Sequence, residues 1–148
     1  LDFALVAPWQ RSVLDTSAVG FRRGPAFARR GRERYGTGAD LPGLFDACLA
    51  ETADPSPALP ARAARAYLDV CFFHPFSDGN ARAAFLALVF VLAREGVALD
   101  RVGPLRRIPR RADHPEGALA LADLVSALIG PTRRHTEGRP GHPPTCAD

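Results

Sequence analysis

Two helix-forming stretches on either side of one short break constrain this chain more than any other feature. Residues 61–73 are rich in alanine and strongly favour a helix. Residues 81–95 are apolar almost all round, which predicts a helix buried at the centre of the fold. The intervening residues 75–80 include a proline, a glycine and an asparagine, which are typical of turns. The pattern therefore predicts a helix pair with a tight loop at the start of the buried helix.

Three further helices are predicted from apolar spacing and from residues that begin or end helices. Asp40 can cap a helix whose apolar side chains share one face. Gly20 is placed to end the first helix, and Gly130-Pro131 to end the last. The predicted ranges are 8–19, 41–49 and 118–129, and Asp113 with Glu116 forms a capping box before the last of them.

The stretch 20–38 is rich in arginine and glycine and has no helical periodicity. It is expected to be a loop or an irregular hairpin, anchored by Phe21, Phe27 and Tyr35. No alternating run of convincing length exists in the sequence. The fold class is therefore mostly α, with at most a small β-hairpin around residues 20–36.

The 148 residues suit one domain with one core. This domain is expected to span residues 1–130, and the Pro- and Gly-rich residues 131–148 are expected to be a disordered tail. The chain opens on Leu1 and contains no Met, so Leu1 is not expected to be the natural start.

Cysteine usage and hydropathy predict a cytoplasmic protein. The three cysteines are odd in number and fit neither a disulfide framework nor a metal knuckle. No secretory signal opens the chain, and no run approaches the ~18 apolar residues of a membrane span. We therefore expect no membrane partner.

All nineteen basic residues are arginine, a bias typical of a GC-rich bacterial genome, and the formal net charge is only +3. The arginines cluster in residues 22–34 and 101–111. Such runs can meet nucleic acid, an anionic substrate or an acidic protein. A solvated surface is the interpretation we favour, and nucleic acid is not an expected partner.

The loop before the buried helix has the properties of an anion site. Helix N-termini expose unpaired N–H groups and a partial positive charge. Gly79 lets a ligand approach the backbone, and Asn80 tolerates unusual dihedral angles and offers a side-chain donor. Arg82 opposes the helix dipole in the first turn, which a bound polyphosphate would explain. Phosphate is the natural ligand for such a site.

Two further side chains supply what phosphoryl or nucleotidyl transfer needs. Asp78 offers a hard oxygen ligand of the kind that Mg²⁺ combines with substrate phosphates. His74 can accept a proton at neutral pH, because imidazole titrates near ~6.5. The residues alone leave other interpretations open: an ordinary turn capped by Asp78, a His74 that only meets its helix terminus, and a Phe76 that anchors the core.

The segment 74–82 resembles the signature of the Fic/Doc family. That signature is His, any residue, Phe, any residue, Asp or Glu, Gly, Asn, Gly or Lys, and Arg. The residues that match it are His74, Phe76, Asp78, Gly79, Asn80 and Arg82. The resemblance covers roughly residues 21–97 and implies an all-helical domain with the motif between two helices.

The resemblance implies an adenylyltransferase that moves AMP from ATP to a Ser, Thr or Tyr hydroxyl of a target protein. His74 would be the general base and Asp78 the Mg²⁺ ligand. The residues that would bind the phosphates are Gly79, Asn80, the backbone of Ala81, and Arg82.

The family also carries a flap hairpin that pairs with an extended segment of the target. Residues 21–28 stand in the corresponding place, and Phe21, Arg22 and Phe27 are the candidate target-binding residues. Pairing through backbone groups would suit that role.

Two residues depart from the family pattern. Ala81 stands where most Fic enzymes have Gly and Doc-type members have Lys, and Phe85 replaces a second Arg that many Fic enzymes carry. These departures keep two alternatives open. One is a Doc-like protein kinase, or transfer of another nucleotide- or phosphate-containing group. The other is a Fic-fold module that binds a partner without catalysis.

The family's inhibitory motif has Ser or Thr four residues before Glu, followed by Gly or Asn. No glutamate in this sequence has both a Ser or Thr four residues before it and a Gly or Asn directly after it. A regulator would therefore be a separate protein, such as the antitoxin of a toxin–antitoxin pair, or absent.

Overall fold

The computed structural model describes residues 1–107 and 114–137. They form six α-helices and one two-stranded antiparallel sheet. None of the helices in this described part is long and apolar enough to cross a bilayer. The elements are α1 (Phe3–Leu14), β1 (Ala26–Ala28), β2 (Glu33–Tyr35), α2 (Leu41–Ala50), α3 (Leu59–Phe73), α4 (Asn80–Arg94), α5 (Gly103–Arg107) and α6 (Pro115–Glu137). The predicted fold class, mostly α with a small hairpin, is confirmed.

α3 is the central helix, and it packs on α2, α4 and α6. The prediction that α4 would hold this place was wrong. α4 buries one face and leaves the side chains of Phe85, Leu86, Val89 and Phe90 only partly covered. The apolar pattern favoured α4 because α3 carries charged residues, yet two of them, Arg62 and Asp69, are buried in ion pairs with Glu95 and Arg65.

The α3–α4 pair is held along its length and at the end remote from the connecting loop. Six buried alanines of these two helices form a group that we call the alanine seam. At the far end, Arg62 of α3 donates to Glu95 just after α4, with 3.0 Å between Nη2 and Oε1. The members of the alanine seam are Ala63, Ala64 and Ala66 in α3 and Ala83, Ala84 and Ala87 in α4.

α1 begins and ends earlier than predicted. The sequence pattern began it at Pro8 and ended it before Gly20. Instead, the Asp2 carboxylate accepts a hydrogen bond from a first-turn N–H at 2.9 Å, and Pro8 lies inside the helix. Asp15, in the left-handed conformation with φ 50°, ends it. Packing of Phe3 against the aromatic core fixes the first turn and outweighs the proline.

α6 continues past Gly130-Pro131, where the sequence predicted its end and the start of a disordered tail. A proline inside a helix removes one backbone hydrogen bond. Here the buried Thr132 hydroxyl donates to the Leu128 carbonyl at 3.1 Å. The same oxygen lies 3.5 Å from the Asp100 N–H, so the helix stays tied to the preceding loop. The helix therefore extends to Glu137.

Two other predictions fall outside the described residues. One is the capping box, because its Asp113 belongs to the undescribed stretch before α6. The other is the disordered tail, which the structure tests only as far as residue 137.

Five phenylalanines form an aromatic cluster beneath the 75–80 loop. Phe76, the motif aromatic, is 1% exposed, and its ring centroid lies 5.4 Å from that of Phe3. Phe21 also packs here, 5.5 Å from Phe3, instead of lying on the hairpin. The interpretation of Phe76 as a core anchor is confirmed. The cluster comprises Phe3, Phe21, Phe45, Phe73 and Phe76.

Candidate active site

His74 ends α3 in a conformation that side chains rarely adopt. It is the C-cap residue, with φ 45° and ψ 60°, and its N–H donates to the Val70 carbonyl at 3.0 Å. Its ring Nδ1 lies 2.5 Å from the Cys71 carbonyl oxygen. A carbonyl can only accept, so Nδ1 carries the proton in this bond and Nε2 is left as the acceptor.

Burial lowers the pKa of His74 below its ordinary value of 6.5. The positive charge of Arg22 acts in the same direction, while the bond to the Cys71 carbonyl and the charge of Glu33 oppose it. The imidazole is therefore neutral at pH 7. A neutral ring with a free Nε2 is the form that a general base requires.

Tyr35, at the end of β2, stacks on the His74 ring. The two ring centroids are 3.6 Å apart and the planes differ by 15°. The Tyr35 hydroxyl donates to Glu33 Oε2 at 3.2 Å. Burial, followed by the Glu33 charge, raises the pKa of Tyr35 to about 12. The tyrosine is thus a neutral ring covering one face of the histidine.

The N-terminus of α4 is shaped by Gly79 and Gln10. Gly79 is the N-cap residue, has φ +75° and makes no side-chain bond to the helix. A Cβ at this position would collide with the Gln10 amide nitrogen of α1. That nitrogen donates to the Asp78 carbonyl at 2.6 Å. Only glycine fits both the conformation and the space, and the first N–H groups of α4 remain open to an anion.

The Asn80 side chain braces the loop. Its Oδ1 accepts from the Phe76 N–H at 2.9 Å, and its Nδ2 donates to the Phe76 carbonyl at 2.8 Å. The side chain is 6% exposed. Its amide is thus engaged at both ends with one residue of the loop, which fixes the loop's shape before any ligand arrives.

Asp78 and Arg82 lie on the exposed side of the loop. Asp78 Oδ1 accepts from the Gly79 N–H at 2.6 Å, and its side chain is 79% exposed. Arg82 Nη2 lies 3.7 Å from Asp78 Oδ2, and Arg82 Nη1 donates to the Val13 carbonyl at 3.1 Å. Both contacts are exposed, so each side chain can turn toward a nucleotide at little energetic expense.

A cavity of about 730 Å³ joins the hairpin to the helix pair, and we call it the site cavity. His74 and Ala81 both line it, so the candidate base and the first turn of α4 share one space. Its apolar wall includes Leu41, Tyr67 and Phe72. Arg29, Glu33 and Arg34 of the hairpin region form its charged rim.

The residues present fit a magnesium ion shared with a nucleotide. The Asp78 carboxylate is exposed, and one of its oxygens is oriented by the Gly79 N–H. Within the described part of the chain, no three His, Cys, Asp or Glu side chains gather closely enough to hold a metal by themselves. Phosphate oxygens and water would therefore complete the shell, as Mg²⁺ commonly allows.

The predicted flap differs in place and in residues from the observed hairpin. The hairpin spans 26–35, pairing Ala26 with Tyr35 and Ala28 with Glu33. Of the candidate flap residues, only Phe27 lies on it, with 58% of its side chain exposed. Phe21 belongs to the aromatic cluster, and the Arg22 side chain points back to the end of α3.

Sequence reasoning missed two residues of the site. Gln10 comes from α1, far from the motif in the chain, and its side chain is completely buried. Tyr35 was assigned to anchoring the hairpin, and no spacing pattern links it to His74. The one sequence signal that could have pointed to Gln10 is its place one helical turn after the apolar Val6, on the same face of α1.

Comparison with known proteins agrees with the motif and the fold. A sequence model of the Fic/DOC family matches residues 15–92, which is more than half of the chain and includes the hairpin, α2, α3 and most of α4. No curated protein and no solved structure matches the chain. The chain belongs to the Fic/DOC family.

Proposed function

We propose that the protein transfers AMP from ATP to a hydroxyl side chain of a target protein. The observation that carries this proposal is the shared cavity, which is lined by His74 and by Ala81 of the first turn of α4. Asp78, Gly79, Asn80 and Arg82 are next to Ala81 in the chain but do not line this cavity. If His74 is the base and the start of α4 binds the phosphates, their proximity would supply much of the rate of such a reaction.

His74 takes the proton of the target hydroxyl. The hydroxyl oxygen forms a bond to the α-phosphorus of ATP, and the bond from that phosphorus to the bridging oxygen of pyrophosphate breaks. The proton goes to Nε2, and the electron pair leaves with pyrophosphate. The Nδ1 bond to the Cys71 carbonyl stabilises the imidazolium that forms, because this donor becomes more acidic as the ring gains charge.

The phosphates would be held by the start of α4. Backbone N–H groups of Gly79 and Ala81 lie at the positive end of the helix dipole, and the Gly79 N–H would become available once the Asp78 carboxylate turned away from it. Arg82 would leave the Val13 carbonyl and bind the distal phosphates. Asp78 would hold Mg²⁺, which when bound neutralises charge on the phosphates. Asn80 contributes indirectly, by fixing the loop.

The hairpin is proposed to receive the target. Its two strands pair only with each other among the described residues, so each has an outer edge to which an extended segment could add. Phe27 presents an exposed ring beside such an edge. The hairpin borders the site cavity, so a hydroxyl on the added segment would lie near His74.

A second candidate is transfer of another phosphate-containing group, including phosphate itself in the manner of a Doc-like kinase. The Ala81 methyl stands at the cradle, on the wall of the site cavity. Phe85, one turn further along α4, is partly buried and apolar where a second phosphate-binding arginine would otherwise stand. Both features restrict how a triphosphate can lie.

The test is incubation of the protein with labelled nucleotides and host lysate, followed by mass spectrometry of modified proteins. We expect transfer of AMP by the wild type and none by His74→Ala, while nucleotide affinity changes little. His114→Ala is the matched control, because this histidine is exposed and remote from the site in the chain.

The mass added to the target separates the candidates, since AMP is far heavier than phosphate. Transfer that survives His74→Ala would refute the role given to His74. Nucleotide binding without transfer to any protein, even at high enzyme concentration, would favour the non-catalytic binding module.

A further inference from the structure

Arg22 joins three parts of the site through its guanidinium. Nε donates to the His74 carbonyl at 2.5 Å, and Nη2 donates to the Phe73 carbonyl at 3.2 Å. Nη1 donates to the Gly24 carbonyl at 2.7 Å and to the Tyr35 carbonyl at 3.4 Å. One side chain therefore binds both the last carbonyls of α3 and the end of β2.

The Arg22 backbone adds a further tie to the same segment. Its N–H donates to the Pro75 carbonyl at 2.8 Å. Residues 73, 74 and 75 thus each give a carbonyl to this one arginine. A cation at a helix C-terminus is also favoured by the helix dipole.

The conformation of His74 requires such support. Its φ of 45° lies in the left-handed region, which is unfavourable for any residue but glycine and persists only where the surroundings enforce it. The Arg22 contacts hold the backbone on both sides of the strained residue.

Two contacts fix the ring of His74, and each restricts a different movement of the ring. The Nδ1 bond to the Cys71 carbonyl sets the rotation of the ring within its plane. Stacking on Tyr35 sets the plane itself, since an offset or tilted ring would lose the 3.6 Å contact. Together they determine where Nε2 points.

We propose that Arg22 and Tyr35 are positioning residues for His74, so that docking of the hairpin aims the base at the target hydroxyl. This rests on the proposed function. Neither residue touches the reacting atoms: Arg22 acts through the backbone of residues 73–75, and Tyr35 acts through the ring plane. The element that receives the target would thereby also orient the base that activates it.

The first test compares Tyr35→Phe with Tyr35→Ala in the transfer reaction. Phenylalanine keeps the stacked ring and loses only the bond to Glu33, so we expect transfer within about twofold of wild type. Alanine removes the ring, and we expect kcat to fall at least tenfold with the KM for nucleotide unchanged. Equal loss in both variants would show that the hydroxyl matters and the stack does not.

Arg22 is tested by Arg22→Lys, which keeps the charge and loses the forked geometry that reaches several carbonyls. We expect a fall in kcat similar to that of Tyr35→Ala. Arg23→Ala, at the exposed neighbouring position, is the matched control and should behave as wild type. Wild-type kcat in Arg22→Lys, in a protein that circular dichroism shows to be folded, would overturn the role given to Arg22.

A second readout needs no transfer activity. Nitrogen-15 NMR of the imidazoles reports which ring nitrogen of His74 carries the proton and at which pH it titrates. The groups facing this ring are Arg22, Glu33, Tyr35 and Cys71. In Tyr35→Ala we expect the His74 pKa to rise toward 6.5, because a buried face of the ring becomes solvated. We also expect the tautomer with the proton on Nδ1 to be less dominant. Tyr35→Phe should leave the pKa and the tautomer as in wild type.

The two readouts separate the proposals. If wild type shows no transfer but the NMR changes occur as expected, the proposed function fails and the positioning contacts stand. An unchanged His74 spectrum in Tyr35→Ala would overturn the role of Tyr35 whatever the activity.

Discussion

At the scale of single residues, the loop of the site is held by side chains whose contacts cannot be read from the motif. Asn80 belongs to the family signature, yet its amide is engaged with the Phe76 backbone. Gln10 lies outside the signature, yet its amide holds the Asp78 carbonyl and leaves room only for glycine at position 79. The loop is therefore preassembled by buried amides, while Asp78 and Arg82 stay exposed to meet a ligand.

The lowered pKa of His74 predicts the pH dependence of transfer. The base must be neutral, so the rate should be flat above pH 6.5 and fall only at lower pH, as the buried ring takes up a proton. Initial rates of transfer across this range, with nucleotide saturating, measure the effect. A rate that increases on acidification would contradict the assignment of His74 as base.

The same pKa shift has a defined consequence for stability. The unfolded chain binds the His74 proton near its ordinary value of 6.5, whereas the folded protein binds it at lower pH. Unfolded molecules therefore hold more protons as the pH falls through this window, and the free energy of unfolding should decrease there. Circular dichroism at each pH distinguishes this loss of fold from loss of the base.

The sequence could identify the residues that the motif names but not the contacts that orient them. His74, Asp78, Gly79 and Arg82 were recognisable because the chemistry needs those types in a short segment. Tyr35 and Gln10 meet the segment only through the tertiary fold, from positions that carry no spacing signal. Arg22 was predicted as a target-binding flap residue, but the direction of its side chain depends on carbonyls that α3 exposes at its end, which the sequence does not reveal.

At the scale of elements, tertiary contacts moved the ends of helices away from their local signals. Both α1 and α6 contain a proline that the sequence placed at a helix boundary. Asp40 precedes α2 as predicted, but its side chain makes no capping bond. The interiors of α2, α3 and α4 were predictable because their apolar spacing is regular. Boundaries were not, since Phe3 and Thr132 stabilise extra turns through partners far along the chain.

Pro131→Ala should stabilise the protein. The alanine restores a backbone N–H within α6 and relieves the clash of the ring with the preceding turn, a gain of about 1 kcal/mol or more in the free energy of unfolding. Urea unfolding followed by far-ultraviolet circular dichroism measures this change in the free energy of unfolding.

The control for this change is Pro115→Ala. Pro115 is the first residue of α6, where its missing N–H has no partner to lose, so we expect a change within about 0.5 kcal/mol. Equal effects of the two substitutions would show that helix position does not govern the result.

At the scale of the whole molecule, the fold is a helix pair packed against three further helices. α3 lies at the centre, with α2 and α6 against it, and α1 rests on α4. The hairpin closes the open end of the pair, where the site cavity lies. Fold class was predictable because no other pattern in the sequence competes with the helical one. The choice of central helix was not, because it depends on which neighbours cover each face.

The α3–α4 core should carry much of the stability. Leu88 of α4 is completely buried, and Leu88→Ala should lower the free energy of unfolding by about 2–5 kcal/mol, through lost burial and the cavity left behind. Leu119→Ala removes the same atoms from a residue that is 69% exposed. It should change the free energy of unfolding by less than about 0.5 kcal/mol. Thermal unfolding of the two variants decides the point; comparable losses would mean that α4 is not packed as described.

The alanine seam sets a limit on how this chain can vary over generations. The proposed base ends α3 and the proposed phosphate cradle begins α4, so a change in the packing of the two helices would change the separation of the groups proposed to react. A larger side chain in the seam would wedge the axes apart, since packed interiors have little room to absorb added atoms. Lineages of this protein are therefore expected to vary most freely on the outer helical faces. In the seam, a change too small to harm folding would already spoil the alignment, and selection on activity would remove it first.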